Sequence, residues 1–72
     1  MKVTVNNRYV YIDGEYRGCI RKEDDLTMMH ITLKSGSKVN RILKCSIYET
    51  DKKLAKECKK ELYKLITTKR SN

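Results

Sequence analysis

A chain of 72 residues sits near the size at which one hydrophobic core is only just sufficient, so it makes one small domain and has no room for a deep substrate cleft. With 17 Lys and Arg against 9 Asp and Glu, the formal charge is +8, an excess that points to a polyanionic partner, nucleic acid before an anionic membrane. No apolar run approaches the roughly 20 residues of a membrane span, and Met1-Lys2-Val3-Thr4 lacks the apolar centre of a secretory signal, so the expectation is a soluble, cytoplasmic protein with no membrane partner.

The chain opens with short alternating segments: Lys2 to Val5, a turn at Asn6-Asn7, Arg8 to Ile12, a turn at Asp13-Gly14, then Glu15 to Lys22. Asp-Gly is the strongest of these signals, because both residues tolerate the positive φ of a type I′ turn. A two-residue hairpin then pairs Ile12 with Glu15, Tyr11 with Tyr16, Val10 with Arg17 and Tyr9 with Gly18. Side chains alternate along a strand, so Tyr9, Tyr11, Tyr16, Gly18 and Ile20 are expected on one side and Val10, Ile12, Arg17, Cys19 and Arg21 on the other.

Glu23-Asp24-Asp25 breaks the alternation and reads as a solvated loop. From Met28 to Lys34 the pattern returns, with Met29, Ile31 and Leu33 against His30, Thr32 and Lys34. Ser35-Gly36-Ser37 turns the chain into a strand from Lys38 to Ile47, where Val39, Leu43, Cys45 and Ile47 oppose Lys38, Asn40, Ile42 and Lys44. Arg41 falls in the apolar set, which calls for either a sheet edge or a bulge.

The last long element is a helix over about 51–66. Thr50 serves as N-cap, Asp51 places negative charge in the first turn, and Leu54, Ala55, Cys58, Leu62, Leu65 and Ile66 form one apolar stripe among lysines. A basic tail, Thr67 to Asn72, is expected to fray. The fold class is therefore α+β: a three- to four-stranded antiparallel meander with a C-terminal helix on one face.

That helix covers the apolar side and leaves the other side of the sheet in water. On this register the open side carries Arg17, Arg21, Lys34, Lys38, Asn40 and Lys44, nearly all of one sign, the arrangement that phosphate contacts require. In a chain without Phe or Trp, the tyrosines at 9, 11 and 16 read as core aromatics rather than as stacking platforms.

No catalytic residues, metal or cofactor are expected. His30 is the single histidine and has no Ser or acid close in sequence. Cys19, Cys45 and Cys58 are odd in number and widely spaced, so they read as small apolar groups in a reducing compartment rather than as a disulfide framework or, with His30, a zinc site.

Tyr16-Arg17-Gly18-Cys19-Ile20-Arg21 resembles the Y-R-G-x-x-R opening of the plant ethylene-response-factor (Apetala) DNA-binding domain. Thr50-Asp51-Lys52-Lys53-Leu54-Ala55-Lys56-Glu57-Cys58 is similar to that family's T-x-E-E-A-A-R-A-Y helix, and the resemblance spans about 15–64. It implies a three-stranded sheet laid in the major groove of double-stranded DNA and backed by a helix, a role shared by the arm-binding domains of many integrases. It also implies that Arg17 and Arg21 contact DNA and that Gly18 lets the helix approach the sheet. A second class stays open: a virus or mobile-element inhibitor, of anti-CRISPR or anti-restriction type, that binds a host nucleic-acid-processing protein complex.

Overall fold

The computed structural model describes residues 1–70, with side chains as far as Leu65. Five strands, β1 (Val3–Asn6), β2 (Tyr9–Ile12), β3 (Glu15–Glu23), β4 (Leu26–Thr32) and β5 (Lys38–Leu43), form one antiparallel sheet in sequence order, followed by a single helix, α1 (Asp51–Arg70). The class is α+β, but the meander has five strands rather than three or four. The difference lies in two tight turns.

Three successive hairpins close through two residues with positive φ: Asn7 and Arg8 (52° and 68°), Asp13 and Gly14 (51° and 84°), Asp24 and Asp25 (49° and 63°). Paired positive values define the type I′ turn, whose twist matches the flanking strands. The Asp13-Gly14 turn is the one expected. The first turn falls one residue later than expected, so Asn6 pairs with Tyr9 and β1 is complete along its length. The acidic run is not an open loop: Glu23 ends β3, Leu26 begins β4, and the two face each other across the Asp24-Asp25 turn. Short polar Asp side chains tolerate the left-handed region, which is why an Asp-Asp pair can do what Asp-Gly does.

The β2–β3 register holds as expected at Ile12↔Glu15 and Tyr11↔Tyr16 and then slips, with Val10 facing Gly18 and Tyr9 facing Cys19. Arg17 is the extra residue of a β-bulge. One inserted residue reverses the faces of everything after it. Val10 and Ile12, placed beside Arg21 by simple alternation, instead share the covered face with Ile20, while Tyr9, Tyr11 and Tyr16 join Cys19 and Arg21 on the other.

The covered face supplies Val3, Val5, Val10, Ile20, Met29, Ile31 and Leu43 to one buried cluster, completed by Ile47 and, from the helix, Leu54, Cys58 and Leu62. Each such side chain contributes roughly 1.5–3 kcal/mol relative to exposure, so this cluster is what holds a chain of this size together. Thr50 caps α1 as expected: its Oγ1 accepts from the amide of Lys53 at 3.2 Å and its carbonyl from Leu54 at 2.9 Å. The helix continues through Arg70, so the tail expected to fray from Thr67 is helical that far; the side chain of Ile66 and residues 71–72 lie outside the described residues.

The strand expected to run to Ile47 stops at Leu43. Beyond it the Cys45 carbonyl accepts a 2.7 Å hydrogen bond from the Thr27 hydroxyl, and Ile47 turns into the core. Arg41 pairs in regular register with Met29 and belongs by alternation to the covered face, yet it is exposed. Of the two explanations the edge is the right one, since β5 pairs with β4 alone.

Candidate nucleic-acid interface

The open face can be read directly from the ladder. Rows across the sheet place Asn6, Tyr9, Cys19, His30 and Asn40 together, flanked by Tyr11 and Tyr16 on one side and by Arg21, Met28 and Ile42 on the other. None of these side chains enters the buried cluster. Tyr9 is 50% exposed, Tyr16 58% and Ile42 50%, so the face offers ring and aliphatic surface to solvent.

The three rings support one another. Tyr16 meets Tyr9 edge-on at 5.8 Å between centroids and Tyr11 at 6.0 Å, with interplanar angles of 62° and 69°. Edge-to-face packing is the favoured geometry for such rings and holds them without burying their outer faces. The expectation that these tyrosines are core aromatics is therefore overturned by the bulge at Arg17.

The six expected contact residues divide. Arg21, Lys38 and Asn40 lie on the open face, Arg21 paired with Met28, Lys38 with Thr32 and Asn40 with His30. Arg17 and Lys34 instead converge on one acid at the rim: Arg17 Nη2 lies 3.1 Å and Lys34 Nζ 4.0 Å from Glu15 Oε1. Lys44 is exposed just past the end of β5. The basic stripe expected from alternation is thus broken up, and the face mixes the two cations with one exposed carboxylate, Glu23, and with aromatic and aliphatic groups.

In the middle of this face His30 is held from both sides. Its Nδ1 lies 2.8 Å from Asn40 Oδ1 and its Nε2 2.5 Å from Glu23 Oε2. Cys19 stands directly opposite on β3, which lines up Cys, His and Asn across three strands. That row has the residue types of a thiol-nucleophile site, with Asn40 on Nδ1, but the other ring nitrogen, Nε2, is engaged by Glu23.

The remaining cysteines are on the far side of the sheet. Cys58 is fully buried in the core, and burial, with Cys45 and Glu57 nearby, pushes its thiol up from 9.0 to about 12. Cys45 is raised as well, chiefly by burial and then by Glu57 and Glu49, partly offset by Lys53. The sheet separates these two from Cys19 and His30, and among the described residues there is no group of three or more His, Cys, Asp or Glu placed to hold a metal ion.

Two other basic regions compete with the open face. α1 contains 8 of the 17 cations, yet Lys53 and Lys60 lie 3.8 and 3.4 Å from Glu57, and Lys64 lies 3.0 Å from Glu61. At the end of the sheet Tyr48 is exposed between Arg8 and Lys22, whose charged centres lie 5.6 and 5.8 Å from its ring centroid. The grooves beside it, about 310 and 450 Å³, also carry Asp25 on one side and Glu49 and Asp51 on the other, so no net positive charge gathers there. No described helix is long and apolar enough to cross a membrane.

Simple alternation does not place Tyr9, Tyr16 and Ile42, exposed, and Tyr11 and Met28, half-buried, on one open face. One signal was present: glycine inside a strand marks a bulge, and a bulge before Gly18 is what puts Val10, Ile12 and Ile20 on one apolar side. Comparison with known protein families, with curated proteins and with solved structures finds no match to this chain.

Proposed function

We propose that the protein is a small, non-catalytic nucleic-acid-binding module whose interface is the open face of its sheet. The observation that carries this reading is the exposed set Tyr9, Tyr16, Arg21 and Lys38 on one unpartnered face of a chain with net charge +8. Cations hold phosphates, aromatic faces hold bases, and the five-stranded ladder fixes both on a rigid frame. The three free thiols suit a reducing, intracellular setting.

Binding measured by fluorescence anisotropy against salt tests the proposal. Arg21, Lys38 and Lys44, if all reach phosphates, give a slope of log K on log salt of about −2 to −3. Arg21→Ala and Lys38→Ala should each flatten it by nearly one, whereas Arg17→Ala, already tied to Glu15, should change it least. Absence of salt-dependent binding to any oligonucleotide would reject the interface.

A second reading, contact with a host nucleic-acid-processing protein complex, is favoured by one observation: Tyr9 and Tyr16 expose adjoining ring surface on that face, with Ile42 exposed farther across it. Such patches suit protein partners as well. It predicts tight binding to a protein complex and negligible affinity for free nucleic acid.

A further inference from the structure

We propose that the ligand of the open face is single-stranded nucleic acid, with unpaired bases laid on Tyr9 and Tyr16; this rests on the nucleic-acid reading above and specifies its substrate class. A duplex keeps its bases stacked on one another and presents phosphates and groove edges, which long cationic side chains reach. The register leaves Arg21 and Lys38 as the cations within the ladder on this face, with the Glu23 carboxylate beside His30 opposing them, while Arg17 and Lys34 are drawn to Glu15 at the rim; so little net positive charge favours an unpaired strand over a duplex here. A duplex pressed here would reach its phosphates with the Tyr9 and Tyr16 hydroxyls at best, leaving the ring faces and Ile42 uncovered by any base.

Unpaired bases reverse that balance. Every base has an apolar π-face that a tyrosine ring can cover whatever the sequence, and sheet faces with exposed aromatics accommodate two or three bases in this way. Tyr9 and Tyr16 belong to neighbouring strands, offset along the ladder, and their edge-to-face contact at 5.8 Å leaves each ring half exposed or more. Tyr11, half-buried, braces Tyr16 from the other side at 6.0 Å. Beyond the row of Cys19, His30 and Asn40, Ile42 and the half-buried Met28 on β5 and β4 add separate apolar groups, with Arg21 paired beside Met28 and Lys38 farther along β5 to take phosphates. Asn6 and Thr4 on β1 supply hydrogen-bonding groups beside the tyrosines for base edges.

The test uses the full chain with a labelled oligonucleotide of about ten nucleotides, as unpaired DNA, as unpaired RNA, and annealed to its complement. The expected result is that an unpaired form, DNA or RNA, binds at least about tenfold more tightly than the duplex. Tyr9→Ala and Tyr16→Ala should each weaken it about 5- to 150-fold, the range for one stacked base, without flattening the salt slope. Tyr16→Phe keeps the ring and should keep the affinity, and thermal melting of each variant checks that the fold survives. The chain has no Trp, so quenching of tyrosine emission on binding reports stacking directly.

Duplex binding as tight as single-strand binding, weakened by Arg21→Ala and untouched by Tyr9→Ala and Tyr16→Ala, would overturn the single-strand assignment and leave the nucleic-acid interface standing. No binding to any of the three forms would overturn the interface itself. A dimer in sedimentation that Tyr16→Ala dissociates would overturn both, by assigning the face to a second copy of the chain.

Discussion

Gly18 and His30 stand so close across β3 and β4 that a Cβ on Gly18 would lie 1.8 Å from the His30 carbonyl oxygen, and 3.0 Å from the Cα of Ile31. The crowding comes from the neighbouring strand, not from the helix, so the role that the family resemblance implies for this glycine does not apply. Immediately after the bulge residue Arg17, the chain needs a residue with no side chain to let β4 close on β3. Gly18→Ala should open that ladder and cost about 1–3 kcal/mol or more, read as a lower urea midpoint. An unchanged midpoint would show that the bulge relaxes freely.

The helix is held by its stripe. Leu62 is 3% exposed among Leu54, Cys58 and the sheet, so Leu62→Ala should cost about 2–5 kcal/mol. Thr50→Ala removes the cap on the Lys53 amide and should cost about 1 kcal/mol. Equal melting temperatures for wild type and Leu62→Ala would contradict the packing described.

The thiols give a pH dependence with a definite sign. In the unfolded chain Cys58 ionises near its ordinary value of 9.0, whereas in the fold it holds its proton up to about 12. Between those values the folded state binds the extra proton, so stability is unaffected below pH 9 and falls as pH rises, by up to about 1.4 kcal/mol per unit. Melting between pH 8 and 10 should therefore decline more steeply for wild type than for Cys58→Ala. Parallel declines would place the loss in other groups.

The same burial sets thiol reactivity. Cys19 lies on the open face, Cys45 is half-buried with a raised pKa, and Cys58 is fully buried. Alkylation of the native protein, followed by mass spectrometry, should label Cys19 first, Cys45 more slowly and Cys58 only with unfolding. Early labelling of Cys58 would contradict the core.

Much of the scaffold was legible because local chemistry decided it. Asp13-Gly14 permits one turn geometry, Thr50-Asp51 caps a helix, and the alternation of Met29 and Ile31 fixes the buried side of β4 without reference to neighbours. The candidate site was not legible in the same way. Its composition depends on one inserted residue at Arg17, which costs little locally yet reverses every side chain after it, and alternation alone carried Val10 and Ile12 to the wrong side. The Asp24-Asp25 turn was hidden because acids usually mark solvated loops, and only the pairing of Glu23 with Leu26 shows that both residues adopt positive φ. The sorting of cations had a longer-range cause, because the convergence of Arg17 and Lys34 on Glu15 joins residues that only the folded sheet brings together.

The proposed interface is the open sheet face, not the lysine-bearing helix. Amide chemical shifts of the full chain titrated with an unpaired oligonucleotide test it most directly. The shifts should concentrate at Tyr9, Tyr16, Cys19, Arg21 and Met28, with those of Lys52, Lys56 and Lys59 on α1 unmoved. Shifts confined to the helix, with β2 and β3 silent, would contradict it.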